Sequence, residues 1–511
     1  MMKRVKYMIY IAALIAVLIP SPAYAREGDC GYEGGISAEQ SAPKTSGKVT
    51  FDYQEVCFIS GEPVVFKGTL TVTKSMKQGT ISSTYTYSLK NADKSATLAR
   101  TLTFETRLTQ KDNGQTIEET FFSKNPTERI TIGGTTYTLQ SYTYTRSALV
   151  DAKPAINYFT GDMRGTKVYQ TGSGTVTVKA TGRFYGYDQY WGSTEVGLFD
   201  YVIESEMKKG NTIDKWGGTA SVALSSTNTK ELRYVKNEPD QISFEGGYVQ
   251  TQSSSSVLEY NSSLPEFDSK GIPTDTMLSY KNSLSLESFP SETRLPVPDI
   301  SQLKGHWAEN DIEALYSLEV YKGNEASFDP EQFMTRAEFA AAMSQAARAV
   351  PADPSLTVRT TTASSAARGR NQTVVSPFSD VSTQSPYFQG INDAFKRGLI
   401  SGKGEDSFEP EGNLTVADAL TVFVRALGLE GMAPAAGAVT TFRDNDQIPE
   451  YARKAAYVAE KIGLVRGDER GYLNPDANLT KARASAMINR FIDYMRSSIK
   501  KNYKEIVDYA P

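Results

Sequence analysis

From about residue 48 to residue 286, apolar and polar side chains alternate with a period of two, as on strands that bury one face. Val64, Phe66, Leu70 and Val72 share one face of a segment whose other face carries Lys67, Thr69 and Thr71. Tyr85, Tyr87 and Leu89 alternate in the same way, followed by Leu102, Phe104 and Leu108. Asp112-Asn-Gly114 predicts a hairpin turn into 116–122, and Gly133-Gly134 joins Ile130 and Ile132 to Tyr137 and Leu139. Val176 with Val178, then 184–187 and 198–203, extend the series. Tyr and Thr dominate, as suits a pleated, half-exposed surface. The pattern predicts an antiparallel, sandwich-like all-β region over 26–287, folded as one or two sandwiches.

Beyond residue 299 the period lengthens to that of a helix. Ile312, Leu315 and Tyr316 form one apolar stripe; Leu420, Phe423, Val424 and Leu427 form another; Ile488, Phe491, Ile492 and Met495 form a third. A fixed frame surrounds them three times. Proline stands five residues before threonine in Pro330/Thr335, Pro410/Thr415 and Pro475/Thr480. A glycine comes shortly before each proline (Gly323, Gly402, Gly467), and an aspartate opens each unit (Asp299, Asp380, Asp444). An aromatic follows each aspartate by seven or eight residues: Trp307, Tyr387, Tyr451. Each unit reads as helix, loop, helix, and stripes this narrow require the three units to pack together.

Thr335-Arg-Ala-Glu338 is a capping-box sequence, in which Thr335 and Glu338 each satisfy an orphan backbone donor. Thr415 with Asp418, and Thr480, stand at the matching caps. Arg336, at the first helical position, faces the positive end of the helix dipole at a cost of about 0.3–1 kcal/mol. Exposed amides beside a guanidinium make an anion site; the plain alternative is a solvated arginine.

Gly305-His-Trp-Ala308, Phe328-x-Pro330 and Thr335-Arg-Ala-Glu338 together resemble the S-layer homology (SLH) domain, here as three repeats over 299–350, 378–430 and 442–496. The resemblance implies an all-α three-repeat bundle with grooves between the repeats. It also implies non-covalent attachment to secondary cell-wall polysaccharide, pyruvylated in many members. In that family the arginine of the tetrad meets the anionic sugar, which puts Arg336 with Trp307, Asp299, Gly323 and Glu338 at the first groove, and Lys481, Gly402 and Gly467 at the others. The second unit departs from the pattern with Val416 at the arginine position, and the third replaces the cap-closing acid by Arg483. The first groove therefore reads as competent, the third as plausible and the second as doubtful.

Lys3, Arg4 and Lys6, an apolar run over 8–19 and Ala23-Tyr-Ala25 predict a secretory signal peptide over 1–25. After its removal no segment is apolar enough to span a membrane, and net charge moves from −4 to about −7, with no basic stripe for nucleic acid. In an exported chain Cys30 and Cys57 are expected to pair, closing a loop worth about 3 kcal/mol. Prolines over 288–298 read as a semi-rigid spacer, 351–377 as a mobile insert and 497–511 as a tail.

The single histidine, His306, lies outside the β region, which removes His-based triads and His-bound zinc from that region. No metal or cofactor is expected. Glu118, Glu119, Glu195, Asp200, Glu204 and Glu206 leave a carboxylate-based glycosidase as the alternative. Trp191 and Trp216, with Tyr185, Tyr187 and Tyr190, read as core before sugar platform. The expectation is a wall-attached surface protein whose β region serves as lattice block, adhesin or glycan binder.

Overall fold

A computed structural model describes residues 34–37, 48–348 and 375–500, less 78, 94, 113, 210, 211, 237–245 and 405. The signal peptide, Cys30 and most of the 351–377 insert lie outside the described residues. Cys57 is partly buried, and burial pushes its thiol up to about 12.

The strands are β1 (Ile36–Ser37), β2 (Lys48–Cys57), β3 (Val64–Lys77), β4 (Thr80–Lys90), β5 (Thr97–Gln110), β6 (Gln115–Phe122), β7 (Thr127–Ile132) and β8 (Thr135–Ala152). They continue as β9 (Ile156–Gln170), β10 (Gly174–Gln189), β11 (Gly192–Lys209), β12 (Thr212–Val235), β13 (Gly247–Phe267), β14 (Pro273–Glu287) and β15 (Ser291–Arg294). All fifteen form one antiparallel sheet in which nearly every strand lies beside its sequence neighbour. The two predicted hairpin turns fall between β5 and β6 and between β7 and β8. The expectation of one or two sandwiches gives way to a single continuous sheet, because a period of two fixes which side chains face inward but not how many strands share one ladder.

The sheet curls until its ends meet. The Ser256 hydroxyl in β13 donates to the Ser37 carbonyl in β1 at 2.9 Å, and the Phe58 ring after β2 packs on Tyr201 of β11 and Tyr260 of β13. Inside lie Phe66, Leu70, Tyr85, Leu102, Phe104 and Leu258, while Thr219, Ser221 and Ala223 alternate outward with buried Ala220, Val222 and Leu224. Within this apolar core sits an ionic cluster. Arg100 donates to both oxygens of Glu55 (2.8 and 2.9 Å) and to Glu128 (2.6 Å), and Lys167 donates to Glu128 at 2.9 Å. Desolvation works to raise the Glu128 carboxyl, but the two cations win and hold it down at about 2.

Among the described residues six α-helices follow: α1 (Glu309–Ser317), α2 (Arg336–Ala346), α3 (Phe388–Lys396), α4 (Val416–Leu427), α5 (Glu450–Lys461) and α6 (Lys481–Asp493), the last running into a π-turn at Tyr494–Ser498. The predicted apolar stripes are buried on them, including Ile312, Leu315, Leu420, Phe423, Ile488 and Phe491. Among the described residues no helix is long and apolar enough to cross a membrane.

The β region docks on the far ends of α2, α4 and α6. The Trp191 indole N–H donates to the Ala346 carbonyl (3.1 Å), the Tyr158 hydroxyl to Leu427 (3.2 Å) and the Gln189 amide to Met495. These are carbonyls that a helix terminus leaves without an internal partner. Ala155, Ile156, Tyr158, Tyr187 and Trp191 join the helical residues in one buried cluster. Nor does 288–298 hang free as a spacer. Ser291–Arg294 pairs with β13, and its prolines, at 290, 296 and 298, lie outside the paired residues, where a missing N–H costs no ladder bond.

Candidate functional site

The site is built where each second helix begins. Thr335 Oγ1 accepts from the Glu338 amide at 3.2 Å and Glu338 Oε2 accepts from the Thr335 amide at 2.9 Å, so the capping box is formed. Thr415 and Thr480 accept in the same way from the Asp418 (3.2 Å) and Arg483 (3.3 Å) amides.

The first two amides of each helix, which in the first unit the sequence offers to an anion, are instead taken by the following repeat. Arg336 and Ala337 donate to the carbonyls of Gly412 and Pro410, at 2.9 and 3.0 Å. Val416 and Ala417 donate to Ala477 and Pro475, and Lys481 and Ala482 donate to Gln332 and Pro330. The first unit thus holds the second, the second the third, and the third the first. Short bridges between Phe333 and Thr480, Thr335 and Asn413, and Thr415 and Asn478 run round the same ring. The helix termini are capped by protein, which removes the amides from the anion site that the sequence suggested.

The tetrad side chains follow the same direction. Arg336 donates from Nε to the Phe408 carbonyl (2.9 Å) and from Nη1 to Asp418 Oδ2 (3.3 Å), with its guanidinium over the Phe408 ring. Lys481 reaches Glu338 at 2.7 Å. The aromatics that open the units join in: the Tyr451 hydroxyl donates to Asp418 at 3.0 Å, and Tyr387 is hydrogen-bonded to Glu338. Burial, then the adjacent Asp418 carboxylate, pushes the Tyr451 phenol up to about 12; burial followed by Glu338 raises Tyr387 in the same sense. Trp307, their counterpart in the first unit, is 62% exposed. Its neighbour His306 bonds to Glu331 at 3.2 Å.

The opening aspartates brace the loops. Asp380 accepts from the Phe408 and Glu409 amides, and Asp444 from those of Leu473 and Asn474. Glu409 and Asn474 are held in the left-handed region, at φ 57° and 56°. Partial burial works to raise Asp380, but the amide bonds outweigh it and the carboxyl lies below its usual range. Asp299 differs: it is exposed, and its own amide donates to Glu325. Gly402 is required by space, since a Cβ there would stand 2.5 Å from the Ser407 carbonyl oxygen. Gly467 is crowded by Gly471, whereas Gly323 is open but sits at φ 122°.

In the β region, no two of Glu118, Glu119, Glu195, Asp200, Glu204 and Glu206 are cross-strand partners. Glu204 is paired with Lys179 and Glu206 with Lys215. Trp191 and Tyr187 are buried in the seam with the helices, while Trp216 packs far along the sheet on Phe267. The aromatic group is core, divided between two clusters. Sequence reasoning missed that Val416, at the position where the arginine is absent, keeps its place in the ring through its backbone amide.

The S-layer homology domain family model matches residues 299–340 and 377–420. The surface-layer 125 kDa protein of Lysinibacillus sphaericus is 24% identical over 43% of this chain and 17% of its own length. Amylopullulanase of Thermoanaerobacterium thermosulfurigenes is 28% identical over 37% of this chain and 9% of its own. Exoglucanase XynX of Acetivibrio thermocellus is 24% identical over 40% and 17%. The chain thus spans less than a fifth of the length of each of these relatives.

Proposed function

We propose that this is an exported surface protein, held non-covalently on secondary cell-wall polysaccharide by three SLH repeats and displaying its β region as a structural or adhesive ectodomain. The observation that carries the reading is the closed ring of backbone bonds. The third unit lies outside the two family matches, yet it supplies Pro475 and Ala477 to the second unit and receives Gln332 and Pro330 from the first. Three equivalent units closing on one another support the all-α three-repeat bundle with grooves between repeats. Lys481, Glu338 and Arg336 meet at these junctions, and Arg336 contributes by tying the first unit to the second. The surface-layer relative favours self-association in a layer as the role of the ectodomain.

The test is co-sedimentation of the full chain with purified cell walls, before and after acid extraction of their secondary polysaccharide. Binding only to intact walls is the expected result. Equal binding to extracted walls would make peptidoglycan the receptor, and binding to neither would remove the anchoring role.

A further inference from the structure

The strand β14 lies at one end of the sheet order and pairs with β13 alone. Where the curled sheet meets itself, the Ser256 hydroxyl holds β1, and no backbone ladder joins β14 to β1 or β2 among the described residues. The Ser288 amide donates to the Ser254 carbonyl at 2.9 Å, and the register then runs unbroken from Glu287 opposite Ser255 to Met277 opposite Pro265. In an antiparallel ladder successive residues turn their amides and carbonyls to alternate sides. The even-numbered residues of β14 therefore bond to β13, while Met277, Ser279, Lys281, Ser283, Ser285 and Glu287 present theirs at the edge. The Ser283 amide accordingly donates to the side chain of its own neighbour, Asn282, at 2.8 Å. Such a row of open backbone groups is a template for another strand.

The side chains of this edge are as incompletely covered as its backbone. Leu258 and Leu264 of β13 are inaccessible to water, whereas Leu284 and Leu278, directly opposite them on β14, are only half-buried. On the outer face Lys281 and Glu287 are exposed and form no ion pair with a described residue. Met277 is 48% exposed, and Phe289, just past the strand, is 98% exposed. A second copy of β14, antiparallel about a dyad at Leu284, meets all of these features in one register. Lys281 then stands opposite Glu287 twice, with Ser283 opposite Ser285 between them. These four positions all belong to the set with open amides and carbonyls, so backbone bonds and ion pairs coincide. Leu284 meets its own copy in the closer, non-hydrogen-bonded pair. Phe289 falls opposite Ser279, two residues from the exposed Met277. Other registers do worse. A dyad at Lys281 sets lysine against lysine, and one at Leu278 pairs Lys281 with Asp275, which lies where the register breaks.

We propose that two copies of this protein join edge to edge along β14, about a dyad at Leu284, with Lys281 of each copy paired to Glu287 of the other. This rests on the self-association reading above and names its contact. The contact is isologous, so it closes at two copies. It is also short, so it is weak in dilute solution and fills when chains are crowded on a wall. The test is sedimentation equilibrium of the full chain at rising concentration. Wild type is expected to pass reversibly from monomer to dimer. Lys281→Glu and Glu287→Lys each set like charges face to face twice and should weaken the dimer about tenfold. The swap Lys281→Glu/Glu287→Lys should restore wild-type association, and Phe289→Ser alone should weaken it. These side chains are exposed, so the urea midpoint should stay at the wild-type value in every variant. Association unchanged in both single charge variants, or a swap no stronger than they are, would overturn the β14 contact while leaving self-association in place. A chain that stays monomeric at every concentration would overturn the self-association reading itself.

Discussion

Arg336 of the first repeat and Asp418 of the second are joined at 3.3 Å across the repeat boundary, both side chains largely shielded from water. The same guanidinium satisfies the Phe408 carbonyl. Truncating it leaves a part-buried carboxylate and a carbonyl without that donor, and such orphaned groups are what make a broken pair costly. Arg336→Ala should therefore destabilise the protein by about 1–3 kcal/mol in urea unfolding. Lysine should restore only part of this, since one ammonium cannot reproduce the two-point contact. A double-mutant cycle with Asp418→Asn should show a coupling of at least about 0.5 kcal/mol. Strict additivity would mean the two residues act independently.

Glu128 yields a pH dependence with a definite sign. Its folded pKa, about 2, lies below the usual carboxylate value, so the folded state binds fewer protons than the unfolded chain. Its contribution is complete above about pH 4.5 and is lost as pH falls toward 2. Glu128→Gln strips Arg100 and Lys167 of their shared anion and should cost about 3–5 kcal/mol. It should also flatten the acid limb of the stability curve, read as urea midpoint against pH. An unchanged acid limb in the variant would move the acid sensitivity to other carboxylates.

The local parts of this fold were legible in the sequence because they depend on neighbours a few residues apart. The alternation around Phe66 and Leu70, the Asn-Gly turn before β6 and the Thr335–Glu338 box are all of this kind. What the sequence hid depends on who meets whom. Val416, read alone, looks like a defective motif; only the first-to-second, second-to-third, third-to-first direction of the backbone bonds shows that its amide still closes the ring. Trp191 reads as a core residue, and it is, but in the seam with the helices and not within the sheet. The proline-flanked 291–294 segment reads as a spacer because its pairing partner, β13, lies some forty residues upstream.

That seam should make the β region and the repeats unfold together. Trp191 is nearly inaccessible, and its N–H satisfies the last carbonyl of α2. Trp191→Ala should cost about 3–5 kcal/mol, the range for deleting a large buried aromatic. Wild type should melt in one calorimetric transition, and Trp191→Ala should separate it into two. Two transitions already present in wild type would mean that the seam carries little coupling.

Removal of residues 299–511 is the sharpest test of how anchor and ectodomain depend on each other. If the repeats were only a tether, the remaining β region would be released as a well-behaved monomer that no longer binds walls. The structure argues for a different outcome. Ala155, Ile156, Tyr158, Tyr187 and Trp191 are buried against the ends of α2, α4 and α6, and deletion would turn them into one apolar patch. The turn between β8 and β9 would also lose the bond from the Ala155 amide to the Ala426 carbonyl. Contiguous exposed apolar surface of this kind drives association in a soluble protein. The truncated chain should fail to sediment with walls and should also elute as oligomer or aggregate in light-scattering chromatography. Replacing Ile156, Tyr158 and Trp191 by polar residues in the same truncation should restore the monomer. A monomeric truncation without those replacements would show that the β region folds and stays soluble independently of the repeats.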